Sequence, residues 1–146
     1  MIGEFRQLGL VYRDISDKIK YFKEILGLDI NTIDIKMDRD VFNNEMEPYT
    51  LRIGFGWFGK IQIELIQVLE GKTIYDEFLE KNGGGFHHIG IYVDDIDKYI
   101  EEFTKKGYKM ISSGTVPGTR FAYFDTTKQF GFYTELIQMI TKRKKK

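Results

Sequence analysis

Four polar residues with the chemistry of metal ligands stand at matching places in a chain that repeats itself. Gln7 to Ile15 (Gln-Leu-Gly-Leu-Val-Tyr-Arg-Asp-Ile) lines up with His88 to Ile96 (His-Ile-Gly-Ile-Tyr-Val-Asp-Asp-Ile), and Ile63-Glu64-Leu65-Ile66-Gln67 returns as Thr134-Glu135-Leu136-Ile137-Gln138. The repeat sets Gln7, Glu64, His88 and Glu135 at equivalent strand positions. A carboxylate among apolar strand residues is costly to bury unless it is paired or bound to a metal. A single Glu or a single His in this setting reads most simply as a surface or core residue. Four in register favour convergent polar groups in one site.

Two carboxylates, one imidazole and one amide oxygen balance a divalent cation. An oxygen-rich, sulfur-free set with one nitrogen suits Zn, Ni, Co or Mn, with positions left open for substrate oxygens. Such an ion acts as a Lewis acid on a carbonyl, acidifies the adjacent C–H and stabilises the resulting enediolate or enolate. Glu135 is the first choice of proton-transfer base.

The elements that must position these groups read as strand, helix, then strands in each half. Phe5–Tyr12 alternates as a strand. Asp14 fits a helix N-cap, with Ile15, Ile19, Phe22 and Leu26 on one apolar face and Gly27 as the stop. Leu28–Met37 reads as a strand, Asp38–Glu47 as a polar loop, and Tyr49–Phe58 with Ile61–Val68 as a hairpin. Thr73–Lys81 is a short connecting helix, and Gly83-Gly84-Gly85 marks the joint. The second half gives a strand at Phe86–Val93 and a helix capped by Asp95 with Ile96, Tyr99, Ile100 and Phe103 inward. Strands follow near Lys109–Ser112, Arg120–Asp125 and Phe132–Met139. The expected fold class is α+β: two tandem βαβββ modules forming a curled eight-stranded sheet with a concave cleft. Residues 1–69 make the first module, 70–85 the connecting helix and linker, 86–140 the second module, and 141–146 a basic tail.

Strand parity decides which side chains meet. Gln7, Gly9 and Val11 share a face, as do His88, Gly90 and Tyr92; Gln62, Glu64 and Ile66 point together, as do Tyr133, Glu135 and Ile137. Alternation sends His87 away from His88, so the two are not expected to line one pocket. Gly9 and Gly90 leave room for a bound molecule or mark bulges. Trp57, Phe58, Tyr123, Phe124 and Tyr133 are candidate pocket walls. Arg120 and Lys128, placed in loops, are candidate holders of an anionic substrate tail, set against plain solvent exposure.

Composition excludes several classes. With 146 residues, 42% hydrophobic and 15% aromatic, the chain can bury a substantial core. Its 22 basic and 22 acidic residues balance, so no global field draws nucleic acid or a membrane surface. Without cysteine there are no disulfides, thiolate ligands or Cys nucleophile. No apolar run approaches the ~18 residues of a membrane span, and no secretory signal pattern opens the chain. A soluble, cytoplasmic protein is expected.

From Gln7 to Gln138 the chain resembles the vicinal oxygen chelate superfamily, most densely from Phe78-Leu79-Glu80-Lys81 through Phe86-His87-His88-Ile89-Gly90 to Val93-Asp94-Asp95-Ile96. The resemblance implies paired βαβββ modules whose first and last strands supply the metal ligands Gln7, Glu64, His88 and Glu135. The Gln/Glu/His/Glu set is similar to that of eukaryotic-type glyoxalase I, whereas the Phe78–Ile96 stretch looks more like methylmalonyl-CoA epimerases. Those epimerases carry a further glutamate base before the second ligand, where Glu47 or Glu45 stands here. Their glycine-flanked His is replaced by Pro117-Gly118-Thr119-Arg120. The expectation is a divalent-metal enzyme of the glyoxalase I (lactoylglutathione lyase) type, with Glu64 or Glu47 as second base. The alternatives are a methylmalonyl-CoA epimerase and a non-catalytic small-molecule binder. The substrate is a hemithioacetal or a CoA thioester, and the family resemblance implies a homodimer.

Overall fold

Short strand-forming runs broken by glycine generate most of this molecule. A computed structural model describes residues 1–37 and 48–140. Its elements are β1 (Glu4–Val11), α1 (Ser16–Leu26), β2 (Asn31–Met37), β3 (Tyr49–Phe58), β4 (Ile61–Glu70), α2 (Tyr75–Asn82), β5 (Gly85–Tyr92), α3 (Ile96–Lys105), β6 (Met110–Val116), β7 (Thr119–Phe124), α4 (Thr127–Phe130) and β8 (Tyr133–Met139). The βαβββ plan is present in both halves. The α4 turn, closed by Gly131 at φ 82°, was not anticipated. The expected polar loop with Glu45 and Glu47, and the basic tail, lie outside the described residues.

The eight strands form one curled sheet in the order β2-β3-β4-β1-β5-β8-β7-β6. Each half contributes four neighbouring strands, and the order is the same when the halves are exchanged. Within a half the first strand pairs parallel with the last, β1 with β4 and β5 with β8. The two first strands, β1 and β5, pair antiparallel at the centre. The four central strands β4-β1-β5-β8 are therefore the ones that carry the repeated polar residues.

The end of the Glu-Leu-Ile-Gln repeat anchors the helices. Gln67 Oε1 accepts from the Ile15 N–H, and Gln138 Oε1 accepts from the Ile96 N–H, both at 3.0 Å. Each glutamine sits one side of the sheet from the Glu three positions earlier, so one motif serves both faces. Asp95 caps α3 as expected, accepting from the Lys98 N–H. Asp14 does not cap α1: the Ile15 amide is already held by Gln67, and Asp14 Oδ1 instead accepts from Ser16 in a tight side-chain turn at 2.8 Å. Beneath α3, Ile96, Phe124 and Leu136 form a fully buried core against Tyr99, Ile100 and Phe103. On the concave side the core includes Val11, Leu51, Ile66, Tyr75, Phe78 and Tyr123.

Candidate metal centre

The four repeated residues are all buried: Gln7 is 4% exposed, Glu64 8%, His88 0% and Glu135 6%. At that depth neither carboxylate has the bulk water that would make it inexpensive. Gln7, Glu64 and Glu135 line a cavity of ≈ 250 Å³ with Gln62, Tyr75 and Tyr123, under apolar walls that include Ile35, Leu51 and Phe121.

Two glycines let the modules interlock. In the β1–β5 ladder Gln7 stands opposite Gly90, and Gly9 opposite His88. A Cβ on Gly9 would fall within the His88 ring, and one on Gly90 would lie 2.8 Å from Gln7 Cβ and 2.9 Å from its Oε1. These positions make room for the ligand candidate of the other module rather than for a bound molecule, and of the two sequence alternatives the bulge holds beside Gly9, where the register shifts.

Polar contacts orient each group. Gln7 Nε2 donates to Gln62 Oε1 at 3.0 Å and lies 3.5 Å from Glu64 Oε2, which turns Gln7 Oε1 toward no protein donor. His88 Nε2 lies 3.3 Å from Glu64 Oε1, close enough for charge attraction but not aligned as a hydrogen bond. Burial alone would lower the His88 pKa, but the Glu64 contact and the Glu135 and Glu64 charges outweigh it and raise it. Burial pushes the Glu135 carboxyl up to about 7. Glu64 adds to the rise, while His88 and a hydrogen bond with Tyr123 oppose it. The Tyr123 and Tyr75 hydroxyls are 3.0 Å apart, and burial above all holds both phenols well above their ordinary range, so they stay protonated.

Three buried atoms of this cluster make no hydrogen bond: Gln7 Oε1, Glu64 Oε1 and His88 Nε2. Each can carry a lone pair, and together they offer an amide oxygen, a carboxylate oxygen and an imidazole nitrogen. This donor set fits a divalent cation of the Zn, Ni, Co or Mn kind. Among the described residues no three His, Asp or Glu side chains form a ready-made cluster. The side chains lean on one another instead, with Glu135 bonded to Tyr123 and Glu64 drawn to His88 and Gln7.

Several placements differ from the sequence reading. A register shift between Gly9 and Leu10 leaves His87 as an extra residue on β5. This bulge breaks strict alternation, so His87 and His88 are not separated: both rings contact Tyr123, and their Nδ1 atoms are 2.9 Å apart. Burial holds the His87 pKa down at about 2, with the His88 charge adding to the effect, so His87 is neutral. Arg120 lies on β7, not in a loop, and is held bidentately by Asp97 at 2.9 and 3.0 Å. Lys128 is exposed on α4. Of the candidate wall residues only Tyr123 lines the cavity; Trp57 and Phe58 are exposed, Phe124 is core beneath α3, and Tyr133 stacks on His87. Gln62 and Tyr75 were missed. The parity that grouped Gln62 with Glu64 was the available signal for one, whereas Tyr75 arrives from α2 and no strand pattern points to it. Glu47 lies outside the described residues.

Comparison with known proteins bears on these features. Residues 6–124 match the model of the Glyoxalase/Bleomycin resistance protein/Dioxygenase superfamily. The chain is 21% identical over 134 residues to the uncharacterized protein YqjC of Bacillus subtilis, covering 90% of this chain and 89% of that one. It is 24% identical over 112 residues to the mitochondrial methylmalonyl-CoA epimerase of Homo sapiens, covering 76% of this chain and 58% of the human protein. The chain thus spans little more than half the length of that relative. A Streptomyces coelicolor methylmalonyl-CoA epimerase in complex with 2-nitronate-propionyl-CoA has the same fold, with a TM-score of 0.72 at 17% identity over 97% of this chain and 100% of that chain. With the tandem modules, the central pairing of β1 with β5 and this match over most of the sequence, the chain belongs to the glyoxalase/bleomycin resistance/dioxygenase superfamily.

Proposed function

We propose that the protein is a divalent-metal-dependent enzyme that moves a proton at the carbon next to a carbonyl, acting as an epimerase on an acyl-CoA thioester. The observation that carries this reading is the set of buried atoms without a hydrogen bond, Gln7 Oε1, Glu64 Oε1 and His88 Nε2, beside Glu135. The glyoxalase I-type reading suggested by the ligand set gives way, because those relatives reported above that carry a named activity are methylmalonyl-CoA epimerases.

Gln7, Glu64, His88 and Glu135 would hold the ion, which when bound supplies Lewis-acid polarisation of the substrate carbonyl. Glu135 is assigned as the base, because its buried carboxylate lines the cavity where the substrate carbon would lie and is held there by Tyr123. Tyr123 keeps its carboxylate from swinging freely, and the Tyr75 hydroxyl steadies Tyr123. Gln62 holds the Gln7 amide with its oxygen inward. The apolar walls exclude water from the reacting carbon and strengthen every charge interaction at the floor. Inverting a stereocentre needs a second proton carrier, a role the sequence offers to Glu47 or Glu45, both outside the described residues, with Glu64 as the second base for a glyoxalase-type transfer.

The test follows solvent deuterium into methylmalonyl-CoA beside consumption of the methylglyoxal–glutathione hemithioacetal, on metal-loaded and chelator-treated protein. Metal-dependent labelling of the thioester, reduced about 10²-fold or more in Glu135→Gln, is expected. Turnover of the hemithioacetal alone would restore the lyase reading. Ligand binding without turnover or metal dependence would make the protein a binder on an enzyme scaffold.

A further inference from the structure

His87 takes no part in the chemistry above, yet it is fully buried and contacts one proposed ligand directly. Its Nδ1 lies 2.9 Å from His88 Nδ1, a separation that requires one proton between two ring nitrogens. We infer that His87 is a positioning residue: it accepts the Nδ1–H of His88 and so reserves His88 Nε2, bare of its proton, for a metal ion. This rests on the metal reading proposed above.

The two ends of the pair decide the direction. His88 Nε2 has no hydrogen-bond partner and lies toward Glu64 Oε1, so it is the nitrogen on the ligand side. When Nε2 is given to a metal ion it is bare, and the one proton of the neutral ring then sits on Nδ1. His87 Nδ1 must then accept, which puts the His87 proton on Nε2. That atom also has no nitrogen or oxygen partner. Its ring is enclosed by Tyr133 stacked at 4.6 Å and by Phe78 and Tyr75 at 5.0 and 5.1 Å in edge arrangements. No N–H or O–H donor reaches His87 Nε2, so nothing there holds its lone pair bare. Metal-bound histidines usually give their second N–H to a carboxylate, carbonyl or water, and here a second imidazole holds that place. The β5 bulge brings the adjacent side chain within reach, and the absent Gly9 side chain lets the His88 ring settle against β1.

Side-chain nitrogen NMR on the whole protein tests the assignment, with and without zinc. In both forms the expected pattern is a proton on His88 Nδ1, a bare His87 Nδ1 and a proton on His87 Nε2; a proton on His87 Nδ1 overturns the inference. Zinc affinity is measured in parallel. His87→Phe, which keeps an aromatic ring but no acceptor, is expected to weaken binding about 10–100-fold. His87→Asn, which keeps an acceptor near the Nδ1 position, is expected to recover most of that loss. Unchanged affinity in the Phe variant, or equal losses in both, would show that His87 only fills space. If the wild-type protein takes up no zinc, the metal reading falls, and the apoprotein spectrum alone decides the tautomers.

Discussion

At the scale of single residues, the site has more negative charge than its own donors neutralise, and protons partly make up the difference. Burial raises Glu135 from its ordinary 4.5 to about 7, and carboxylate neighbours raise His88 above 6.5. Both shifts tie stability to pH in the same direction. Below 4.5 Glu135 is protonated whether the chain is folded or not. As pH climbs to 7 the unfolded chain loses that proton while the folded one keeps it, so folding weakens. The His88 contribution is complete below 6.5 and is lost as pH rises through its folded pKa. Metal-free protein should therefore lose stability between about pH 4.5 and somewhat above 7, with Glu135 accounting for about 2–3 kcal/mol. Urea unfolding of chelator-treated protein at pH 5 and pH 8 measures this difference. Glu135→Gln should remove most of it, and an unchanged slope in that variant would place the coupling elsewhere.

Among the elements, the paired anchors Gln67 and Gln138 show why the Glu-Leu-Ile-Gln motif occurs twice. The Glu faces the cleft while the Gln holds a helix start on the opposite side. Gln67→Ala and Gln138→Ala should each destabilise the fold by roughly 0.5–2 kcal/mol through loss of an acceptor for a helix-entry amide. Strands β4 and β8 are separated by β1 and β5, about 14 Å at the usual strand spacing, so the double variant should show the sum. Thermal unfolding of the two singles and the double checks this, and strong non-additivity would mean that the helices communicate through the sheet. The bulge at His87 could not be read in this way. It depends on how β5 pairs with β1, and alternation within one strand carries no record of its partner's register.

For the whole molecule, the consequence of the topology is that one cluster joins the two halves. Gln7 and Glu64 come from the first module and His88 and Glu135 from the second, on the four central strands. An ion held by residues of both would bind the folded state and not the unfolded chain. At a free concentration 100 times its dissociation constant, such an ion adds about 2.7 kcal/mol to the stability of the fold. The melting temperature should rise with added zinc, nickel, cobalt or manganese, fall back with chelator, and respond little in the double variant Glu64→Gln/Glu135→Gln. Equal stabilisation of wild type and double variant would assign the ion to another place.

By itself the sequence determined the tandem βαβββ plan, the equivalence of Gln7 with His88 and of Glu64 with Glu135, and the faces on which those residues lie. These follow from local periodicity and from a repeat that copies strand positions, both written along the chain. Tertiary structure alone decided what surrounds them. Gln62 on β4 bonds the Gln7 amide on the adjacent β1, Tyr75 arrives from the connecting helix to meet Tyr123, and Gly9 and Gly90 accommodate side chains of the opposite module. Arg120 is taken by Asp97 across 23 residues of sequence, and a bulge turns His87 toward His88. Each of these depends on the distance between segments remote in the chain or on the register between strands, and neither quantity is fixed until the sheet has closed.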